Sequence, residues 1–129
     1  MRYRGRLLGL ALVASLLIAC SGGGGATSGA APAASGPNVT VKGLDAMKFE
    51  PSTLTVKSGS PVHLTLQNDG ALVHDWVIDS LDGKKVTVEA APGASASVDF
   101  TPVAAGTHEY YCSQPGHKDA GMKGMLTVQ

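Results

Sequence analysis

A thiol, an imidazole and a thioether are regularly spaced in the last third of the chain. Cys112, His117 and Met122 form the pattern Cys-x4-His-x4-Met. The pattern follows a β-type run and is rich in loop-forming residues, so the loop can curl and bring the three side chains to one point. A soft thiolate, an imidazole nitrogen and a weak thioether suit copper better than zinc, calcium or magnesium. A second imidazole from elsewhere would complete a plane of two imidazoles and one thiolate with a long axial methionine.

Other histidines and a second methionine leave alternatives to this ligand set. Met125 lies three residues after Met122 and fits the alternation of an apolar strand, which predicts that it packs in the core. His63 alternates away from its apolar neighbours and is predicted to be exposed. His108 is on the same strand face as Cys112 and is predicted to be an interior histidine. The thiol and the loop imidazole of the pattern could themselves be an inert buried thiol and a surface histidine.

Short β-type runs surround this loop, and we find no segment of useful length with a helical period. The runs, which are separated by turn residues, are Val39–Val41, Leu54–Val56, Val62–Leu66, Trp76–Ile78, Val86–Val88, Ser97–Phe100, His108–Cys112 and Met125–Val128. About eight short strands at this spacing predict an all-β fold, an antiparallel sandwich, over residues 38–129. In the run 62–66 the apolar residues alternate and share one face.

The beginning of the chain has the features of an export signal. Three arginines precede a thirteen-residue apolar run at residues 7–19. A helix of that length spans about 20 Å, which is less than the roughly 30 Å hydrocarbon core of a bilayer. Residues 1–19 are therefore predicted to be a signal peptide. The alternatives are a short transmembrane anchor and a buried helix.

The apolar run ends Leu-Ile-Ala-Cys at Cys20, which resembles the bacterial lipobox. That resemblance implies that Cys20 becomes the first mature residue and carries a diacylglycerol group, which places the protein outside the cytoplasm on the periplasmic side or cell surface. Cys112 would then be a lone thiol in an oxidising compartment, where metal ligation or reactivity gives it a role. The alternatives are an ordinary signal peptide with a stray cysteine, and a disulfide bond between Cys20 and Cys112.

Residues 20–37 are predicted to be the lipidated cysteine and a flexible Gly/Ala/Ser linker. Treated as a Gly-rich coil, the seventeen residues after Cys20 reach roughly 20–25 Å. Without residues 1–19 the chain has seven Lys and ten acidic residues, a net charge of −3. This mildly acidic balance gives no electrostatic support to nucleic-acid binding.

The loop and two further segments resemble the cupredoxins, the type 1 blue copper proteins. The loop reads Cys-Ser-x-Pro-Gly-His-x4-Met from Cys112, a second segment reads Val-His-Asp-Trp around His74, and a third runs from Phe49 to Gly59. The similarity covers residues 38–129 and is strongest to the auracyanins, with plastocyanin and azurin also similar. It implies a Greek-key β-sandwich, one type 1 copper ion, and His74, Cys112, His117 and Met122 as its ligands.

The resemblance also assigns roles to residues next to the ligands. Asp75 is expected to accept hydrogen bonds from Ser113 and pin the two ligand segments together, unless it is a charge that faces solvent. Family members more often have Asn at this position, so we expect the carboxylate to favour Cu(II). Tyr111, Pro115 and Gly116 are expected to belong to the electron-transfer surface around the C-terminal ligand histidine, although the tyrosine could instead be a half-buried sheet residue.

The resemblance implies outer-sphere electron transfer and no enzymatic activity. A multicopper enzyme needs further copper sites, commonly His-x-His pairs, and the chain has none. The expected partners are a quinol-oxidising complex on one side and a cytochrome, reaction centre or terminal oxidase on the other, with the lipid anchor holding a monomer at the membrane. The alternative function is that of an extracytoplasmic copper-binding or delivery protein, although such proteins more often have open Met- and His-rich sites.

Overall fold

Alternating apolar residues and frequent turn residues produce a fold made of strands. The computed structural model describes residues 37–129, which contain nine strands: β1 Asn38–Leu44, β2 Lys48–Glu50, β3 Thr53–Val56, β4 Val62–Asn68, β5 His74–Leu81, β6 Lys84–Ala90, β7 Ser95–Phe100, β8 Gly106–Tyr111 and β9 Lys123–Val128. The predicted signal peptide, Cys20 and the predicted linker, apart from Pro37, lie outside the described residues. In the part of the chain described, no helix is long and apolar enough to cross a membrane.

The eight predicted runs all fall on strands, and the all-β sandwich prediction is confirmed. The remaining strand, β2, was not predicted because it has only three residues. The run that was expected to include Cys112 ends one residue earlier, so the thiol lies just after β8.

The strands form two sheets, in the orders β2-β1-β4-β7 and β3-β9-β8-β5-β6. The expectation of purely antiparallel pairing is wrong at two places, because β1 pairs with β4 and β3 pairs with β9 in parallel. Parallel neighbours require a crossover between them, and the chain makes these crossovers by moving from one sheet to the other. The result places β5 and β8 side by side in the five-stranded sheet, with Val77 opposite Tyr111.

The core lies between the two sheets. On β4 the residues Val62, Leu64 and Leu66 are buried and the intervening ones are partly exposed, as the alternation predicts. Trp76 of β5 stacks on Phe100 of β7, with ring centroids 5.9 Å apart, and so joins the two sheets. Burial of large aromatic side chains of this kind contributes several kcal/mol each, since truncation to Ala typically costs about 3–5 kcal/mol.

A tight contact between Tyr110 of β8 and Gly124 of β9 fixes the strand that leads to Cys112. Tyr110 is fully buried, and its hydroxyl donates a hydrogen bond to the carbonyl of Pro51 at 2.9 Å. Gly124 of β9 makes this possible, because a Cβ atom there would lie 2.4 Å from Cζ of Tyr110 and 2.4 Å from the carbonyl oxygen of Ser52. These contacts fix Tyr110 against Gly124 of the neighbouring strand β9, two residues before Cys112.

Candidate metal centre

Two adjacent strands and one loop position the predicted ligands. His74 is the first residue of β5, and Cys112 follows the last residue of its neighbour β8. His117 and Met122 lie in the loop between β8 and β9. Strand ends that are neighbours in one sheet place His74 and Cys112 close together although they are separated by 38 positions.

The loop from Cys112 to Met122 is closed by its own backbone. The N–H of Cys112 donates to the carbonyl of Met122 at 3.0 Å, and the N–H of Met122 donates to the carbonyl of His117 at 2.9 Å. Gly116 and Gly121 have φ angles of +81° and +108°, a region that other residues seldom adopt. The glycines thus allow the chain to turn tightly enough to bring three side chains of one loop to the same place.

Three donor atoms converge at this place. Nδ1 of His74 is 3.3 Å from Nδ1 of His117, and Sγ of Cys112 is 3.4 Å from the latter and 4.0 Å from the former. All three lie within 4.8 Å of one another. A single ion with metal–nitrogen bonds of about 2.0 Å and a metal–sulfur bond of about 2.3 Å would separate its donors by about 3.4–3.7 Å. The spacing therefore fits one ion, and two imidazoles with one thiolate form the donor plane of a type 1 copper site.

Burial controls the protonation of the donors. His74 and Cys112 are fully buried, whereas His117 is partly exposed. Burial raises the pKa of Cys112 to about 11, against the lowering effect of the Asp75 N–H. Burial also lowers the pKa of His74, which favours the neutral imidazole that binds metal. A metal ion that binds here must displace the thiol proton.

The two methionines have different environments. Met122 is fully buried in the core cluster beneath the loop. Met125 is 38% exposed, so the prediction that it packs in the core is wrong. The register of β9 explains the error: Leu126 lies opposite Leu54 of β3 and faces the interior, and strand alternation then turns Met125 outward.

Asp75 joins the two ligand segments. Its Oδ1 accepts a hydrogen bond from the N–H of Ser113 at 2.5 Å, and its Oδ2 accepts one from the Ser113 hydroxyl. The N–H of Asp75 points at Sγ of Cys112, 3.5 Å away. Asp75 is only 6% exposed, so the alternative of a solvent-facing charge is excluded.

The expected electron-transfer surface is partly apolar. Pro115 and Gly116 are exposed beside His117, and Leu72 in the loop before His74 is 45% exposed. Tyr111 is half-buried, as one alternative had it. Its hydroxyl donates to Oδ1 of Asp79 at 2.8 Å, and the Lys118 ammonium lies 3.8 Å from its ring centroid.

The other two histidines are not part of the cluster. His63 is partly exposed, and its Nδ1 lies 2.6 Å from Oδ1 of Asp99 on the neighbouring strand β7. His108 is half-buried, and its Nε2 has no hydrogen-bond partner within residues 37–129.

Sequence reasoning missed two residues that shape the loop before His74. Asn68 is buried; its amide donates to the carbonyls of Leu72 and Ala90 at 2.7 and 2.9 Å. Asp45, in the turn between β1 and β2, accepts hydrogen bonds from the N–H groups of Ala71 and Leu72. Asx residues are common in turns, so nothing in the sequence indicated that Asp45 contacts a segment 26 positions away.

Comparison with known proteins agrees with this arrangement. The model of a protein family described as "Cupredoxin-like domain" matches residues 9–128. The chain is 40% identical to plastocyanin of Scenedesmus fuscus in an alignment 104 positions long, which covers 71% of this chain and 100% of that protein. It is 30% identical to the copper-resistant cuproprotein CopI of Rubrivivax gelatinosus in an alignment 102 positions long, which covers 66% of this chain but only 62% of the relative.

Solved structures show the same fold. The reduced auracyanin of Roseiflexus castenholzii superposes with a TM-score of 0.65 at 22% identity, over 71% of this chain and 96% of that one. The chain belongs to the cupredoxin-like family, which includes the electron carriers plastocyanin and auracyanin. The predictions of the family, of the all-β sandwich and of one type 1 copper ion as cofactor are confirmed by this membership and by the cluster.

Proposed function

We propose that this protein is a blue-copper electron carrier that cycles one copper ion between Cu(I) and Cu(II), with His74, Cys112, His117 and Met122 as ligands. The observation that carries the proposal is the convergence of two imidazole nitrogens and one thiol sulfur within 4.8 Å. The buried Met122, at the end of the same closed loop, is the residue that would supply the fourth ligand. Its exposed neighbour Met125 is not a ligand in this proposal.

The residues around the cluster favour electron transfer over catalysis. Copper held by this donor set supplies a one-electron couple that tolerates both oxidation states in one geometry. The buried His74 and Cys112 lie at the ends of paired strands, and the hydrogen bonds of Asp75 to Ser113 restrain their relative movement. His117 is the partly exposed donor, so it gives the shortest route to a partner. Tyr111, Pro115 and Gly116 are the proposed surface around that route.

The location and the partners belong to the same proposal. The lipobox-like Cys20 supports attachment of a diacylglycerol group outside the cytoplasmic membrane. That group has two acyl chains, and stable anchoring requires more than one. We propose a monomer that exchanges electrons with a quinol-oxidising complex and with a cytochrome, reaction centre or oxidase, and that has no enzymatic activity or nucleic-acid partner. A Cys20→Ser variant is expected to leave the membrane fraction, and a variant that stays there would contradict the anchor.

The similarity to CopI favours a second candidate, a copper-binding or delivery protein. The burial of His74, Cys112 and Met122 argues against rapid copper exchange, because a delivery site must open to pass its ion on. Incubation with a mild chelator separates the two functions. The carrier is expected to retain its copper, whereas a delivery protein would lose it within the same period.

The proposed ligands are tested by the optical and electron paramagnetic resonance spectra of the copper-bound protein. We expect intense blue absorption from thiolate-to-Cu(II) charge transfer and a narrow copper hyperfine splitting. Cys112→Ser is expected to abolish the colour, while His63→Gln, at a histidine outside the cluster, is the matched control and is expected to keep it. A colourless wild-type protein, or one with an ordinary tetragonal copper spectrum, would overturn the ligand assignment.

A further inference from the structure

The Asp45 carboxylate lies on the side of His74 that faces away from the cluster. Its Oδ2 accepts from the N–H of Ala71 at 2.7 Å, and its Oδ1 accepts from the N–H of Leu72 at 3.2 Å. The same Oδ1 is 3.3 Å from Nε2 of His74. Two backbone hydrogen bonds therefore hold a negative charge beside the distal nitrogen of a proposed ligand.

The surroundings of the His74 ring leave space for this contact. A Cβ atom at Gly70 would lie 2.2 Å from Oδ1 of Asp45 and 3.2 Å from Nε2 of His74. A Cβ atom at Gly43 would lie 3.2 Å from Cβ of His74 and 3.2 Å from its ring atom Cδ2. Any other residue at Gly70 would separate the carboxylate from the ring, so the loop is shaped to let the two groups meet.

The distal nitrogen needs this acceptor. His74 Nε2 is fully buried, and no acceptor within residues 37–129 makes an aligned hydrogen bond to it. The Asp45 Oδ1 atom is the acceptor beside it, at 3.3 Å, but it is poorly aligned with the N–H. A buried N–H that is left without a partner is energetically costly, which favours alignment of the Asp45 carboxyl group with this N–H.

We propose that Asp45 is a positioning residue that binds the Nε2–H of His74, keeps Nδ1 free to face Cys112 and His117, and lowers the reduction potential of the site. The inference rests on the proposed copper function. A metal-binding histidine commonly donates its other N–H to a carboxylate, which fixes the tautomer and makes the ligand nitrogen more basic. A negative charge on this side also favours the higher oxidation state. Asp45 is 42% exposed, so solvent screens part of its effect.

Asp82 provides a matched control for an Asp45→Asn variant. Its carboxylate also accepts two backbone hydrogen bonds, from Val103 at 2.7 Å and Ala104 at 2.8 Å. It follows the far end of β5, an eight-residue strand that begins at His74, so it lies about 25 Å from the cluster. Asp82→Asn removes the same charge and the same kind of loop contact without affecting His74 directly.

The test compares the reduction potentials and the metal-free nitrogen-15 NMR spectra of the two variants with those of the wild-type protein. Asp45→Asn is expected to shift the Cu(II)/Cu(I) equilibrium roughly tenfold towards Cu(I), a rise of about 59 mV. Its metal-free form is expected to populate the Nδ1–H tautomer of His74 alongside the Nε2–H tautomer, because the amide oxygen that Asn keeps is a weaker acceptor than the carboxylate. Asp82→Asn is expected to change neither. If the Asn variant does not fold, Asp45→Ser provides the same comparison. It keeps a side-chain hydroxyl that can accept from a backbone N–H of the loop, and it removes the charge.

The possible outcomes separate this inference from the proposed function. Suppose that the wild-type protein is blue. If Asp45→Asn then has the same reduction potential and the same His74 tautomer as the wild-type protein, only the role of Asp45 is overturned. A wild-type protein without the blue copper spectrum would overturn the proposed function, and the tautomer of the metal-free His74 would then still report whether Asp45 positions the ring.

Discussion

Replacing Asp75 by Asn tests how far a buried carboxylate tunes the copper site. Asn keeps an oxygen to accept from the N–H of Ser113, and the Ser113 hydroxyl can turn to accept from the new amide, so the two ligand segments stay joined. What the variant removes is one negative charge at a residue that is only 6% exposed. The carboxylate accepts a hydrogen bond from the N–H of Ser113, the residue after Cys112. Covalent dimensions then place the carboxylate about 6 Å from Sγ of Cys112.

The magnitude follows from Coulomb's law. A unit charge about 6 Å away, at an effective dielectric constant of about 20, contributes about 2.8 kcal/mol, or roughly 120 mV for one electron. We therefore expect Asp75→Asn to raise the reduction potential by about 100 mV, because loss of the negative charge disfavours Cu(II). The measurement is a spectroscopic redox titration of the blue absorption.

Glu89→Gln is the control for the Asp75 variant. Glu89 lies opposite Asp75 on β6 and accepts a hydrogen bond from Gln114 of the same loop at 3.1 Å, but it is exposed. Solvent screens its charge, so we expect a shift of only a small fraction of that of Asp75→Asn. An unchanged or lower potential in Asp75→Asn would refute the reasoning, as would equal shifts in the two variants.

Three further predictions concern the axial ligand, the packing below the site and the response to acid. Met122→Leu is expected to raise the reduction potential and alter the copper spectrum while Met125→Leu changes neither, and identical spectra for both would remove Met122 from the site. Gly124→Ala is expected to destabilise the protein by about 1–3 kcal/mol in denaturant titrations, because the new methyl group must displace Tyr110; unchanged stability would show that β8 can shift freely. Hydrogen bonds from the backbone N–H groups of Ala104 and Val103 lower the pKa of Asp82. Its contribution to stability is therefore complete above its unfolded-state pKa of about 3.9 and is lost as the pH falls through the lower folded-state value. The stability gap between the wild-type protein and Asp82→Asn should narrow only below about pH 4, and a gap that narrows near neutral pH would contradict this.

Local patterns predicted most of the strands and the ligand loop. The alternation of Val62, Leu64 and Leu66 depends only on neighbouring residues, and the structure has the same burial pattern. The loop from Cys112 to Met122 contains three of the proposed ligands in one short segment, so its chemistry is visible without knowledge of the fold. Its closing backbone hydrogen bonds are also local.

Long-range pairing could not be predicted in this way. The parallel pairs β1–β4 and β3–β9 depend on how the chain crosses between sheets, which no local periodicity encodes. Met125 was misplaced because its neighbours fit two strand faces, and only the register with β3 decides between them. The contact of Asp45 with the loop before His74 arises because β1 and β4 are adjacent in the sheet, so the sequence gives no sign of it.

The position of the metal itself tests the central claim most directly. A crystal structure of the copper-bound protein, with anomalous scattering measured at the copper edge, would locate the ion independently of any spectrum. We expect one peak bonded to Nδ1 of His74, Nδ1 of His117 and Sγ of Cys112, with the Met122 sulfur as the fourth ligand. A copper peak elsewhere, or a disulfide bond at Cys112, would contradict the account.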